Sequence, residues 1–249
     1  MLAPLFLYAL LQPQSPAQEL RSTVTVTGRC TRDCAGETTT LGSGVIVGRR
    51  PDGSLVVLTA RHVIEHVSSP EVYVRDGAEP GVDFTSFARG RDARRATVIA
   101  YADNVDLALV AFHPRDEDDY GFAALAGEDG LGGAHPGVVV GDPYGSLWIA
   151  SRFTVVSDNP NTFLLDCETC GPGDSGGGVF DAAGRLLGIL VDQRVVGDDS
   201  GQQHRTSQFL AVSPAELRLF LASTDRGPTP QMPDISQAWV RFEAMRTAH

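Results

Sequence analysis

One serine set among glycines, in Gly171-Pro172-Gly173-Asp174-Ser175-Gly176-Gly177-Gly178, is the segment of this chain best suited to chemistry. Glycines on both sides permit backbone shapes that side chains forbid and let another chain approach closely. Such a turn presents the serine instead of packing it. It also allows the backbone N–H groups of Gly173 and Ser175 to converge on one point, as stabilisation of a developing oxyanion requires. A serine hydroxyl is too weak an acid to attack an amide near neutral pH without a base, so a histidine must be supplied from elsewhere. Of the six histidines, His62 directly follows an apolar run, whereas His113, His135, His204 and His249 lie in polar or terminal contexts that suit surface residues. The imidazole in turn needs a buried carboxylate to fix its tautomer. Asp106, heading the apolar run Leu107-Ala108-Leu109-Val110, meets that need.

The three segments share a resemblance. Gly-Asp-Ser-Gly-Gly around Ser175 resembles the nucleophile loop of the chymotrypsin-like (trypsin-fold) serine peptidases. Thr59-Ala60-Arg61-His62 is similar to the family's Thr-Ala-x-His segment, and Asp106-Leu107-Ala108-Leu109 to its Asp-Leu-Ala-Leu segment. The lack of a cysteine after His62 resembles bacterial and viral branches, and Gly178 stands where the family often has proline. The resemblance spans roughly residues 22 to 222. It implies a serine endopeptidase acting through an acyl-enzyme, with His62, Asp106 and Ser175 as triad, Gly173 and Ser175 as oxyanion donors, and no cofactor. It also implies that Thr169 and Cys170 line the base of the primary pocket and Val191, Asp192 and Gln193 one wall, where Asp192 would favour a basic substrate side chain. Asp174 should be buried beside the nucleophile and need a partner. No Ile-Val-Gly-Gly-like activation terminus is visible.

The elements that must position these residues read as short strands. Ser22 to Thr27, Gly44 to Val47, Leu55 to Thr59, Glu71 to Arg75, Ala96 to Tyr101 and Asp106 to Ala111 alternate or run apolar, with Arg50-Pro51-Asp52-Gly53 a strong turn. After the polar run Arg115 to Tyr120, read as a linker, come Gly137 to Val140, Leu147 to Val156, Asn161 to Leu165, Gly178 to Phe180, Arg185 to Val191 and Ser207 to Val212. The expected fold is all-β: two six-stranded antiparallel β-barrels with a cleft between them and a C-terminal helix. That helix starts at Ser213-Pro214-Ala215-Glu216, a capping-box pattern with proline in first position. The expected organisation is a leader over 1–17, a first barrel over 18–118 carrying His62 and Asp106, a second over 119–222 carrying Ser175, and a linker and tail over 223–249. Within the tail, Asp234 to Met245 reads as a short amphipathic helix.

Two other functions compete. His62-Val63-Ile64-Glu65-His66 fits the H-x-x-E-H zinc pattern of a metallopeptidase, though no third acidic ligand can be named and the serine loop would go unexplained. Glu65 and His66 read more simply as surface residues of a helical turn after the base. The other rival is a peptide-binding module that has kept the barrels and lost turnover.

Composition narrows the partners. A net charge of −11 repels phosphate backbones and anionic membranes and argues against nucleic acid, while a protein or peptide substrate is what the resemblance implies. The basic run Arg89, Arg91, Arg94 and Arg95 is broken by Asp92 and reads as a solvated loop. The apolar stretch Leu2 to Leu11, followed by Ser15 and Ala17 in a small-x-small pattern, resembles a secretory signal. Export to a secreted or periplasmic location follows, with no membrane segment after its removal. Cys30, Cys34, Cys167 and Cys170 are then expected as disulfides, with zinc binding as the alternative in a reducing compartment.

Overall fold

In the computed structural model, residues 17–31, 39–75, 78–89, 91–127, 136–197 and 202–224 are described. The leader's apolar stretch and the tail helix lie outside them, as do Cys34, His135 and His249. A short helix α1 (Ala17–Ser22) leads into a first closed barrel. Its strands are β1 (Thr23–Cys30), β2 (Thr39–Arg49), β3 (Leu55–Thr59), β4 (Val67–Tyr73), β5 (Arg94–Tyr101) and β6 (Ala108–Phe112), in the order β1-β2-β3-β6-β5-β4. Between them lie α2 (Arg61–Ile64) and α3 (Phe84–Ala88). The second barrel holds β7 (Gly137–Gly141), β8 (Ile149–Asp158), β9 (Thr162–Asp166), β10 (Gly178–Asp181), β11 (Leu186–Gly197) and β12 (Gln203–Val212), in the order β10-β11-β12-β9-β8-β7. Helix α4 (Pro214–Thr224) follows, capped by the Ser213 hydroxyl accepting the Glu216 N–H at 3.3 Å. Every strand pair is antiparallel, and closure leaves no edge in either sheet.

Alternation along the strands fills the barrel interiors, but β1 is buried on both faces. Val24 and Val26 alternate with Thr23, Thr25 and Thr27, all nearly inaccessible. A strand with one face on its own core buries the other only against a second unit, and β1 and β2 are where the second barrel docks. Small residues make the approach possible. A methyl group on Gly42 would meet the Ser175 carbonyl at 2.9 Å, and one on Gly178 would meet Val45 Cγ2 at 2.9 Å as well as the Phe180 ring. The glycine that replaces the family's proline at 178 thus gives room to Phe180 and to the facing barrel. At another point of the joint, Trp148 sets its ring edge-on to Phe87 of α3, with centroids 4.9 Å apart.

Two expectations change. The run from 115 to 120 is anchored, because Asp118 is buried, accepts the Arg115 N–H at 2.8 Å and pairs with Arg94. The basic run is only partly the solvated loop expected: Arg89 and Arg91 are exposed ahead of β5, but Arg91 stacks over Phe87 at 4.4 Å, and Arg94 and Arg95 lie in β5, where Arg94 is held by Asp118. The described cysteines are disulfide-bonded. Cys167 joins Cys170, Cys30 is also disulfide-bonded, and among the described residues no cysteine is free.

Candidate active site

His62 is held by the turn between β3 and β4. Strand β3 ends at Thr59, and the four-residue helix α2 puts His62 in its first turn while Val63 and Ile64 anchor into the core. Strand β6, paired with β3, brings Asp106 alongside. One carboxylate then holds the histidine twice: Asp106 Oδ1 accepts the His62 backbone N–H at 3.0 Å, and Oδ2 lies 2.5 Å from Nδ1. With Nδ1 as donor, Nε2 is left as the acceptor that a general base needs. Asp106 is only partly buried, its side chain 35% exposed, which corrects the expectation of a fully buried acid. Burial pushes the His62 pKa down, but the hydrogen bond and charge of Asp106, then the charges of Asp192 and Glu65, outweigh it and leave the value above 6.5.

Ser175 comes from the second barrel, on the turn before β10. Gly173 at φ +103° and Gly176 at φ +86° occupy backbone conformations that L side chains rarely adopt. A methyl group on Gly173 would collide with the Asp142 carbonyl, and one on Gly176 with the Ser43 carbonyl, while Ala60 N would stand at 3.0 Å from the latter. Ala60 is two residues ahead of His62, so the nucleophile turn and the histidine turn abut. Strand β2 fastens them: Ser43 N donates to the Ser175 carbonyl at 2.8 Å, and the Ser43 hydroxyl donates to the Gly173 carbonyl at 2.9 Å.

Within the turn the N–H groups divide into two sets. Those of Gly171, Asp174, Gly176 and Gly177 donate to Asp174 Oδ2, the Gly171 carbonyl, the Leu190 carbonyl and the Asp174 carbonyl. Among the described residues no acceptor engages the N–H of Gly173 or Ser175. Buried or half-buried N–H groups are ordinarily paired, so these two donors are left able to bind an oxygen from outside the turn.

Asp174 is buried, as expected, and its surroundings contain a residue that sequence reasoning passed over. Asp142, fully buried, accepts the Trp148 N–H at 2.8 Å, and a methyl on neighbouring Gly141 would collide with Asp174 Oδ1. Burial raises both carboxyls to about 7, and the Asp142 charge adds to the rise at Asp174. Ser43 was also missed. The only sequence signals were Gly42-Ser43-Gly44 inside a strand and Gly141-Asp142-Pro143, which reads as an ordinary turn.

The pocket residues have mixed settings. Cys170 and Val191 are buried, Gln193 is half-buried, and Thr169 and Asp192 are exposed. A pairing irregularity in β11 between Leu190 and Asp192 sets the strand's face at that point. The residues of the zinc pattern are engaged otherwise: Glu65 accepts from Arg61 Nε at 2.7 Å and pairs with His66 Nε2 at 3.1 Å. Glu65 is no surface residue, since its side chain is only 11% exposed. Among the described residues no three His, Cys, Asp or Glu side chains cluster as metal ligands, and no helix is long and apolar enough to cross a membrane.

Comparison with known proteins agrees with this architecture. Two curated relatives, both named serine protease Do-like HtrA, from Lactococcus lactis subsp. cremoris and subsp. lactis, are 25% identical over 173 residues. The aligned part is 64% of this chain and 38% of either relative, so the chain spans well under half of their length. A solved structure, the active form of the Rv3671c protease from M. tuberculosis, superposes with a TM-score of 0.61 at 19% identity, over 86% of this chain and 85% of that one; it speaks for the fold. The family model for the trypsin-like peptidase domain matches residues 42–189, a span that starts at the glycine touching Ser175 and contains His62, Asp106 and Ser175, and the chain belongs to that family.

Proposed function

We propose that the chain is a serine endopeptidase that cleaves peptide bonds through an acyl-enzyme. Ser175 Oγ attacks the scissile carbonyl as His62 Nε2 takes its proton. The imidazolium, stabilised by Asp106, then protonates the leaving amine, and a water repeats the sequence to release the acid. Gly173 and Ser175 N–H receive the oxyanion. The observation that carries the reading is the turn itself: two N–H groups without an acceptor flank the serine, beside a histidine whose tautomer a carboxylate fixes.

Thr169, Cys170, Val191, Asp192 and Gln193 are assigned to the primary pocket, with the exposed Asp192 carboxylate favouring a basic side chain. A peptide library cleaved mainly after apolar or small residues would remove that assignment. The disulfides and the leader-like N-terminus support a secreted or periplasmic setting. The division into barrels at 18–118 and 119–222 is retained.

The test is a fluorophosphonate label mapped by mass spectrometry, together with burst kinetics on an active-site ester. Label on Ser175 and a burst abolished by Ser175→Ala are expected. Activity that resists the phosphonate and is lost to a chelator would point to zinc instead, and no label with no turnover to a binding module.

A further inference from the structure

Asp142 and Asp174 are 0% and 1% exposed. From β1 and β2 the hydroxyls of Thr25 and Ser43 face Asp142, and from the loop before β8 the Trp148 N–H does. Asp174 receives the Gly171 N–H and feels the Asp142 charge; among the described residues no cation contributes to the shift of either carboxyl. Among the described residues, Asp142 Oδ2 and Thr25 Oγ1 are buried without a hydrogen-bond partner of ordinary geometry. Two unneutralised carboxylates cannot be kept adjacent and dry at low cost, so this pair holds a proton.

The loop bearing Asp142 also shapes the oxyanion turn. Its Tyr144 N–H donates to the Pro172 carbonyl at 2.6 Å, and the Asp142 carbonyl packs against Gly173. Tyr144 and Trp148 both sit at φ +54°, a strained conformation for such side chains. Ser43 links the acid to the turn, because its hydroxyl faces Asp142 and donates to the Gly173 carbonyl. A serine hydroxyl has one hydrogen to give.

We propose that Asp142 is a positioning residue that must be protonated for catalysis: neutral, it leaves the Ser43 hydroxyl on the Gly173 carbonyl, and ionised, it takes that hydrogen and releases the oxyanion turn. This rests on the serine-peptidase reading. The step is a simple ionisation. The O–H bond of Asp142 breaks, its proton leaves to solvent, the electron pair stays on the carboxylate, and the Ser43 O–H swings from the Gly173 carbonyl to that new anion. Burial, the largest cause, places the Asp142 ionisation about neutral pH, and the neighbouring Asp174 is raised into the same range. Because His62 must lose its proton and Asp142 keep its own, activity is confined to a band around neutrality.

The experiment is kcat/KM against pH for wild type, Asp142→Asn and Ser43→Ala, with circular dichroism at each pH. Wild type should lose activity on the alkaline side by roughly 10²–10³, the cost of an oxyanion donor. In Asp142→Asn, an amide that still accepts from Trp148 but cannot ionise, that limb should disappear. In Ser43→Ala the rate should be low at every pH above the His62 limb, with no further alkaline fall. An alkaline limb unmoved in folded Asp142→Asn, or absent from wild type, overturns the proposal. Infrared titration of Ser175→Ala, which needs no turnover and no change at the pair, supplies the independent readout: a carboxylic-acid C=O band should fade across neutral pH. If that band is missing, the proton is not there. If the band is present and the wild-type protein hydrolyses nothing, the peptidase reading fails while the protonated pair stands.

Discussion

Asp106 grips His62 at two points, the backbone N–H through Oδ1 and ring Nδ1 through Oδ2, so the carboxylate sets both where the histidine stands and which ring nitrogen is left as an acceptor. Asparagine at 106 can still accept the backbone N–H but can also donate to Nδ1, which would put the ring proton on Nε2. Asp106→Asn should therefore keep the fold and lower kcat on the order of 10⁴, the effect known from the corresponding change in the template triad enzyme. Single-turnover acylation with an active-site ester measures the loss, and an unchanged far-UV spectrum separates it from misfolding.

The raised pKa of His62 has a sign that can be tested through Asp192. Catalysis needs the neutral imidazole, so activity rises with pH through the His62 pKa, and the Asp106 hydrogen bond and charge put that acid limb higher than an ordinary histidine would. Removing a nearby anion destabilises the imidazolium, so Asp192→Asn should move the limb to lower pH. Asp192 is exposed, and its effect should shrink as salt is added. A kcat/KM profile at low and high ionic strength checks both statements; a limb that stays put in the variant would remove Asp192 from the vicinity of the base in solution.

Gly173, proposed as an oxyanion donor, has no room for a side chain. At φ +103° an alanine is strained, and its methyl would strike the Asp142 carbonyl. Gly173→Ala should turn the peptide N–H away and cost about 10²–10³ in kcat, with little change in KM. Active-site titration and steady-state kinetics distinguish this from a loss of folded protein.

How far the sequence could go is visible in these same residues. The strands carry their own signal, apolar alternation bounded by turns, and the three reactive segments each sit at the end of a strand that is locally legible. Ser43 and Asp142 carry almost none beyond flanking glycines and a turn-like setting. Ser43 is one small residue in a strand, and its role exists only because a turn some 130 residues away lies against it. Asp142 looks like a turn former, and the hydroxyls that face it once it is buried, Thr25 and Ser43, belong to the other barrel. The β11–β12 hairpin likewise runs past the expected ends, to Gly197 and from Gln203, because cross-strand pairing carries polar residues that periodicity would exclude. Contacts between distant segments, not local preference, decide such positions.

Asp118 gives the same lesson in stability. Read from sequence it belongs to a polar linker, but its side chain is wholly buried and holds Arg94, itself 11% exposed, while also taking the Arg115 N–H. Removing one partner of a buried pair leaves the other charge desolvated and alone, which costs about 3–5 kcal/mol. Asp118→Ala should therefore destabilise the protein by that amount, whereas Asp92→Ala, whose partner Arg115 is half in solvent and whose own side chain is 81% exposed, should change stability by less than about 0.5 kcal/mol. Denaturant unfolding of the two variants side by side decides the matter: equal midpoints would mean that the segment between the barrels is not anchored through Asp118.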